Sequence, residues 1–233
     1  MTVPIAPADR RKWPAEILTP DEVAAIIGAC SAKSRTGIRN RAMITLLYKS
    51  GLRISEVIGY PGRDETQYTA PDGQVKTQKP RDPIPPLKEA SIDFSQHAIR
   101  VLDTKSGKAQ TRGFHPSADD TLHRWFDARR QLAGVNGRQP AFCALDGSPL
   151  AETYVRALLG RLKAKAGVEK RVHPHGFRHT FACELLFRGV DVVSISKLLG
   201  HSSVAVTQRY LDHLTNDQAI AKLVAVDWPD LEG

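Results

Sequence analysis

The sequence predicts an α+β fold, mainly α-helical, with a small three-stranded antiparallel sheet. Three observations point to it. Apolar residues recur at helical spacing before residue 60 and again from residue 117 onward. Two-residue alternation is confined to Ser91–Phe94, Ile99–Leu102 and Thr111–Phe114, with Ser106-Gly107 as a turn, which suits three short strands. A hydrophobic fraction of 41% in 233 residues is enough to build a core.

Order begins at Thr19-Pro20-Asp21-Glu22, where Thr19 can cap a helix, Pro20 suits its first position and Glu22 can complete a capping box. Val23, Ile26 and Ile27 follow as one buried stripe. Residues 1–18, rich in proline and charge, read as a tail ahead of a domain spanning residues 19–233. A second helix over residues 37–49 carries Ile38, Met43, Ile44, Leu46, Leu47 and Tyr48 on most sides, which predicts a central position. After Gly51 a short helix holds Ser55, Glu56 and Val57. Residues 60–86 collect six prolines and hardly any hydrophobic periodicity. This insertion, reaching to about residue 87, reads as a long excursion, either functional or disordered. Beyond the strands, helices are expected over residues 117–132, with Leu122, Trp125, Phe126 and Arg129 on one side, over 151–166, and through nearly all of 175–224.

A formal net charge of +8 points to a polyanionic partner, because every phosphate neutralised by Lys or Arg releases condensed counterions. Cys30, Cys143 and Cys183 are odd in number and lack metal-type spacing, so neither a disulfide framework nor a zinc site is indicated, and a reducing compartment fits. No stretch has signal-peptide or bilayer-spanning character, so a cytoplasmic protein with no membrane partner is expected.

Four short patterns carry the chemistry. They are Gly51-Leu52-Arg53-Ile54-Ser55-Glu56, Thr104-Lys105-Ser106-Gly107-Lys108, Pro174-His175-Gly176-Phe177-Arg178-His179-Thr180, and Leu199-Gly200-His201-Ser202-Ser203 with Tyr210 nine residues after His201. Singly, each is weak: an arginine can cap a helix, a histidine or tyrosine can be a satisfied core residue. Jointly, in this order, they resemble the tyrosine recombinase, or phage integrase, family, whose pattern is an early Arg, a Lys on a strand hairpin, His-x-x-Arg, a later His and a Tyr nucleophile. The resemblance covers about residues 19–224. It implies the catalytic-domain fold of that family and a site-specific DNA recombinase that cleaves and rejoins DNA through a 3′-phosphotyrosine on Tyr210.

Attack on a phosphodiester makes a five-coordinate phosphorus with extra negative charge, and preorganised donors aimed at its oxygens are the largest catalytic contribution a protein can make. Arg53 and Arg178 are the natural clamp, since guanidinium is planar, always charged and matched to two phosphate oxygens. His201 would donate a third hydrogen bond. A phenol with an ordinary pKa of about 10 needs a base or a positive pocket, and His175, three residues before Arg178, is the candidate base or proton partner. The departing 5′ oxygen needs a proton, which the family takes from the first lysine of the hairpin, matching Lys105; Lys108 competes because the turn register is open. By the same resemblance Glu56 would steady an active-site histidine or arginine from behind. No step calls for a metal, nucleotide or other cofactor.

Further DNA-contact candidates are Lys108, Arg112, Arg161, Lys163, His173 and His179. The two histidines match no catalytic position and stay open between phosphate contact and a structural role. The basic segment 156–171 stays open between backbone contact and a solvated helix face. Typical family members carry an additional helical domain that closes around the duplex; no such core-binding domain is expected in the 18 residues ahead of the first helix. The resemblance implies double-stranded DNA as partner and a homotetramer during synapsis, from a chain that is monomeric alone. Residues 215–228, with Ile220, Leu223, Val224 and Trp228 apolar, would pack in cis or reach a neighbouring protomer. A type IB topoisomerase shares much of this residue logic; the Leu-Gly-His spacing to Tyr210 favours the recombinase. An idle DNA-binding module would lack the nucleophile or an arginine, and neither is missing.

Overall fold

A computed structural model describes residues 17–102, 109–201 and 203–208. Its described elements run α1 (Pro20–Gly28), α2 (Arg35–Ser50), α3 (Ile54–Ile58), β1 (Thr66–Thr69), β2 (Val75–Gln78), β3 (Ile92–Asp93), β4 (Ala98–Leu102), β5 (Ala109–Gly113), α4 (Asp119–Arg130), α5 (Glu152–Ala166), α6 (Pro174–Phe187), α7 (Val192–Leu199) and α8 (Val204–Gln208). The expected α+β architecture, mainly helical with an antiparallel β3-β4-β5 sheet, is what the chain forms.

The capping box at the start of α1 is formed as the sequence predicts. Glu22 N–H donates to Thr19 Oγ1 at 3.2 Å, and Thr19 N–H donates to Glu22 Oε2 at 2.7 Å. The tail, however, ends earlier than residue 18. Leu18 is buried and its N–H donates to Thr180 Oγ1 at 3.2 Å, while the Ile17 carbonyl accepts from Lys170 Nζ at 2.9 Å. The Leu18 side chain joins the main core while Thr180 on α6 holds its N–H, contacts distant in sequence that no local pattern reveals.

Helix α2 begins two residues before the expected start because Ser34 is its cap, accepting from Gly37 N–H at 3.1 Å. It stops at Gly51, whose φ of 63° lies in the left-handed region. It packs against α1, α4 and α6, so its hydrophobic girth does mark a central element. Around it lies the main core, with Trp125, Phe126, Phe142 and Phe177 fully buried. A second, smaller cluster joins α6 to α7 through Phe181, Cys183, Leu186, Ile195 and Leu199. Helix α6 therefore serves both clusters, with Phe177 in one and Phe181 in the other. Arg178 sits between them.

The proline-rich insertion, expected as a long excursion that is either functional or disordered, carries regular structure. Strands β1 and β2 form an antiparallel hairpin in register Thr66↔Gln78 to Thr69↔Val75, and paired bridges Arg63↔Arg81 and Tyr60↔Ile84 extend the ladder to its base. Its strands are mostly exposed on both faces, which leaves no apolar alternation to read. The helix expected from residue 117 opens instead with a 3-10 turn, Pro116–Ala118, before α4. The largely helical stretch expected over residues 175–224 forms as α6, α7 and α8, parted at Arg188–Asp191 and again after Leu199; residues from 209 onward lie outside the described residues. Among the described residues no helix is long and apolar enough to cross a membrane. The three cysteines are free and buried.

Candidate active site

Three of the four sequence patterns meet through one side chain. Arg178 is 1% exposed, and its guanidinium donates from Nη1 to the Gly51 carbonyl and from Nη2 to the Leu199 carbonyl, both at 2.7 Å. Gly51 lies two residues before Arg53, and Leu199 two residues before His201. The His-x-x-Arg turn thus ties down the approach to the first arginine and the approach to the later histidine, across 127 positions of sequence in one case. A planar donor can span two carbonyls at fixed angles, which an ammonium cannot.

The local backbone is shaped for this meeting. A Cβ on Gly51 would lie 2.5 Å from Phe181 Cδ1 and 2.8 Å from Leu199 Cδ2, so glycine is required there by space as well as by its positive φ. Gly200 ends α7, also in the left-handed region at φ 63°. A Cβ on it would come within 2.0 Å of Arg112 Cζ, so the Arg112 guanidinium rests directly on its α-carbon.

Arg53 caps α3 and its side chain is 42% exposed, projecting from the surface. Glu56, buried on the next turn, receives both the Arg53 N–H at 2.6 Å and Nη1 at 3.1 Å. One carboxylate thereby fixes the start of the helix and the direction of the guanidinium. On α6, His175 is exposed and meets His179 edge to face, with ring centroids 4.4 Å apart, one helical turn on. His201 is half-buried, with Nδ1 2.7 Å from Oγ1 of the fully buried Thr207 on α8. That contact selects the ring's orientation. Nothing in the sequence pattern singled out Thr207; its only signal is a position three residues ahead of Tyr210.

The other candidates divide. His173 caps α6, its Nδ1 accepting from Gly176 N–H at 3.2 Å. Burial foremost, then Arg171 and Arg156, holds its imidazole below the ordinary value of 6.5. Arg112, expected as a DNA contact, is instead 5% exposed, packed on Gly200 and bonded to Gln110 Oε1 at 2.5 Å. The alternating strand turns it toward α7 rather than to solvent. Arg161 is exposed on α5, whereas Lys163 donates to the Glu169 carbonyl at 2.8 Å, closing the end of that helix. Lys105, Lys108 and Tyr210 lie outside the described residues. Among those described, no three His, Cys, Asp or Glu side chains gather as a metal site.

A mainly helical body, a three-stranded sheet and a basic site drawn together by a buried arginine define a fold of the tyrosine recombinase catalytic-domain type. The chain belongs to the phage integrase family, whose model matches residues 16–62 and 84–217. It is 30% identical over 224 residues to the tyrosine recombinase XerD of Xanthomonas axonopodis pv. citri, covering 91% of this chain and 62% of that one. It is 32% identical over 214 residues to the tyrosine recombinase XerC of Anoxybacillus flavithermus, covering 91% and 61%. The chain thus spans about three-fifths of the length of these relatives. Among solved structures, the XerA recombinase superposes with a TM-score of 0.68 at 24% identity, covering 93% of this chain and 66% of that one. The catalytic domain of bacteriophage HP1 integrase gives 0.52 at 18% identity, covering 91% and 95%. These likenesses show the fold.

Proposed function

We propose that this chain is the catalytic domain of a site-specific DNA recombinase, cleaving double-stranded DNA by attack of the Tyr210 hydroxyl on a phosphodiester. The observation that carries the reading is the double anchor of Arg178, which holds the Arg53 and His201 segments to one another through the Gly51 and Leu199 carbonyls. In the proposed step the phenol oxygen bonds to phosphorus and the bond to the 5′ oxygen breaks. The phenol proton passes to His175, and the 5′ oxygen takes one from Lys105, with Lys108 the alternative donor. Arg53, Arg178 and His201 stabilise the charge that develops on the phosphate oxygens, and Glu56 keeps Arg53 aimed. Reversal by another 5′ hydroxyl seals the strand, so phosphodiester bond energy is conserved and the reaction needs no cofactor.

Arg161, His173 and His179 are the remaining DNA-backbone candidates on α5 and α6, with Lys163 a weaker one because it already serves the helix end. The His173 hydrogen bond supports a capping role first. Arg112 is better read as an internal support for the Gly200-His201 turn. The partners proposed are duplex DNA and, at synapsis, three further copies of the protein, in the cytoplasm.

A nicked suicide duplex carrying the cognate site tests the assignment. The parent protein is expected to accumulate a covalent adduct resolved by denaturing electrophoresis, and Tyr210→Phe to give none. An undiminished adduct in that variant would reject Tyr210.

A further inference from the structure

The family match breaks off at residue 62 and resumes at 84, and the hairpin arm fills the interval. We propose that Arg81, at the base of this arm, is a positioning residue for Arg53. The inference rests on the recombinase reading above and adds to it a component supplied by the insertion.

Helix α3, five residues long, cannot hold its own shape, since a nucleus that short is unstable in isolation. Its beginning is fixed by Glu56 and its end runs straight into the arm. The Val57 carbonyl accepts from Leu87 N–H at 3.2 Å, and the Tyr60↔Ile84 bridge closes with two hydrogen bonds of 2.8 Å. The next pair along the ladder, Arg63 and Arg81, exchanges backbone hydrogen bonds of 2.9 and 2.7 Å, so the Arg81 backbone is set. From there its guanidinium turns back toward the helix. Nη2 donates to Ser55 Oγ at 3.3 Å, and Cζ lies 4.4 Å from the centroid of the Tyr60 ring. Ser55 is buried and adjacent to Glu56, the carboxylate that aims Arg53. Arg81 therefore clamps both ends of α3 together, Ser55 on its first turn and Tyr60 just past its last. Loss of the clamp frees the first turn to rotate, and the Arg53 guanidinium rotates with it.

An exposed arginine near a phosphate site has a rival use as a direct DNA contact, and the two roles separate in kinetics. Positioning changes the rate of the chemical step at saturation; a phosphate contact changes affinity and its salt dependence. On the suicide duplex at saturating protein, Arg81→Ala is expected to slow adduct formation about fivefold to tenfold, the loss of one cation–π contact and one hydrogen bond. Its dissociation constant and salt slope should match the parent's. Arg81→Lys keeps a cation over Tyr60 and one donor, and should recover most of the rate. An unchanged rate overturns the proposal, as does weaker binding with a salt slope reduced by about 1, which is the mark of a phosphate contact.

A parent that forms no adduct sinks the recombinase reading rather than the clamp, which keeps its own test. Hydrogen–deuterium exchange of the peptide covering residues 53–58 should accelerate in Arg81→Ala, and equal protection in parent and variant overturns the clamp.

Discussion

Arg178 spends two donors on main-chain carbonyls, and that use decides how its substitution should behave. A lysine in its place keeps the charge but reaches one carbonyl at most, leaving the other buried without its donor at a cost of about 1–3 kcal/mol. Arg178→Lys is therefore expected to remain folded, with its thermal midpoint lower by roughly 2–10 °C for a chain of this size. Adduct formation should fall at least about 100-fold, because the Arg53 and His201 turns lose their shared anchor. Scanning calorimetry and the suicide-duplex assay together check it; full activity in the lysine variant would show that only charge matters at this position. The arginine itself was legible in the sequence, from its place three residues after His175. Its anchoring was not, because the partners are carbonyls, which every residue offers alike, and no residue-type pattern can mark them. Arg112 shows the complementary failure. A basic residue on a strand beside a lysine hairpin reads as a DNA contact, yet Gly200 provides a bare α-carbon on which its guanidinium packs.

At the scale of elements, caps and buried stripes were legible and exposed strands were not. The Thr19 box and the stripe of α1 declare themselves locally, since each signal needs only residues within one or two turns. The arm hides because both its faces meet solvent. Its threonines, Tyr68 and Val75 have strand propensity, and Pro71-Asp72-Gly73 is a turn signal, but no burial imposes alternation on them. The α6 cap yields a prediction of its own. His173 accepts from Gly176 N–H through Nδ1, which protonation would abolish, and its pKa is depressed on folding. A group held below its unfolded value contributes stability that is complete above that value and is lost as pH falls toward the folded one. The fold should thus weaken as pH drops below the ordinary histidine value of 6.5. In His173→Asn, which caps the helix without titrating, this part of the pH dependence should vanish. Thermal midpoints of both proteins across pH 7.5 to about 5.5 check it; parallel curves would show that His173 is not the titrating group.

At the scale of the whole molecule the useful quantity is the distribution of charge. Between residues 63 and 83 the arm carries Arg63, Lys76, Lys79 and Arg81 against Asp64, Glu65, Asp72 and Asp82, so it is neutral, and the excess of +8 belongs to the rest of the chain. Non-specific affinity for duplex DNA should accordingly come from the body and not from the arm. If the body neutralises about 4–6 phosphates, the logarithm of the binding constant falls with that of salt at a slope of roughly −4 to −5, weakening binding about 100- to 1,000-fold between about 50 mM and about 200 mM salt. Replacing the arm tip, residues 64–79, with a short turn should leave the slope as it is. Arg161→Ala, at an exposed position of α5, should lower its magnitude by about 1, while Lys163→Ala should change it less because that ammonium is engaged with the Glu169 carbonyl. Fluorescence anisotropy of a labelled duplex, titrated at several salt concentrations, measures all four slopes. A slope near zero for the parent would mean that its positive charge is not directed at nucleic acid, whereas a slope that drops with the arm tip would place the phosphate contacts on the insertion.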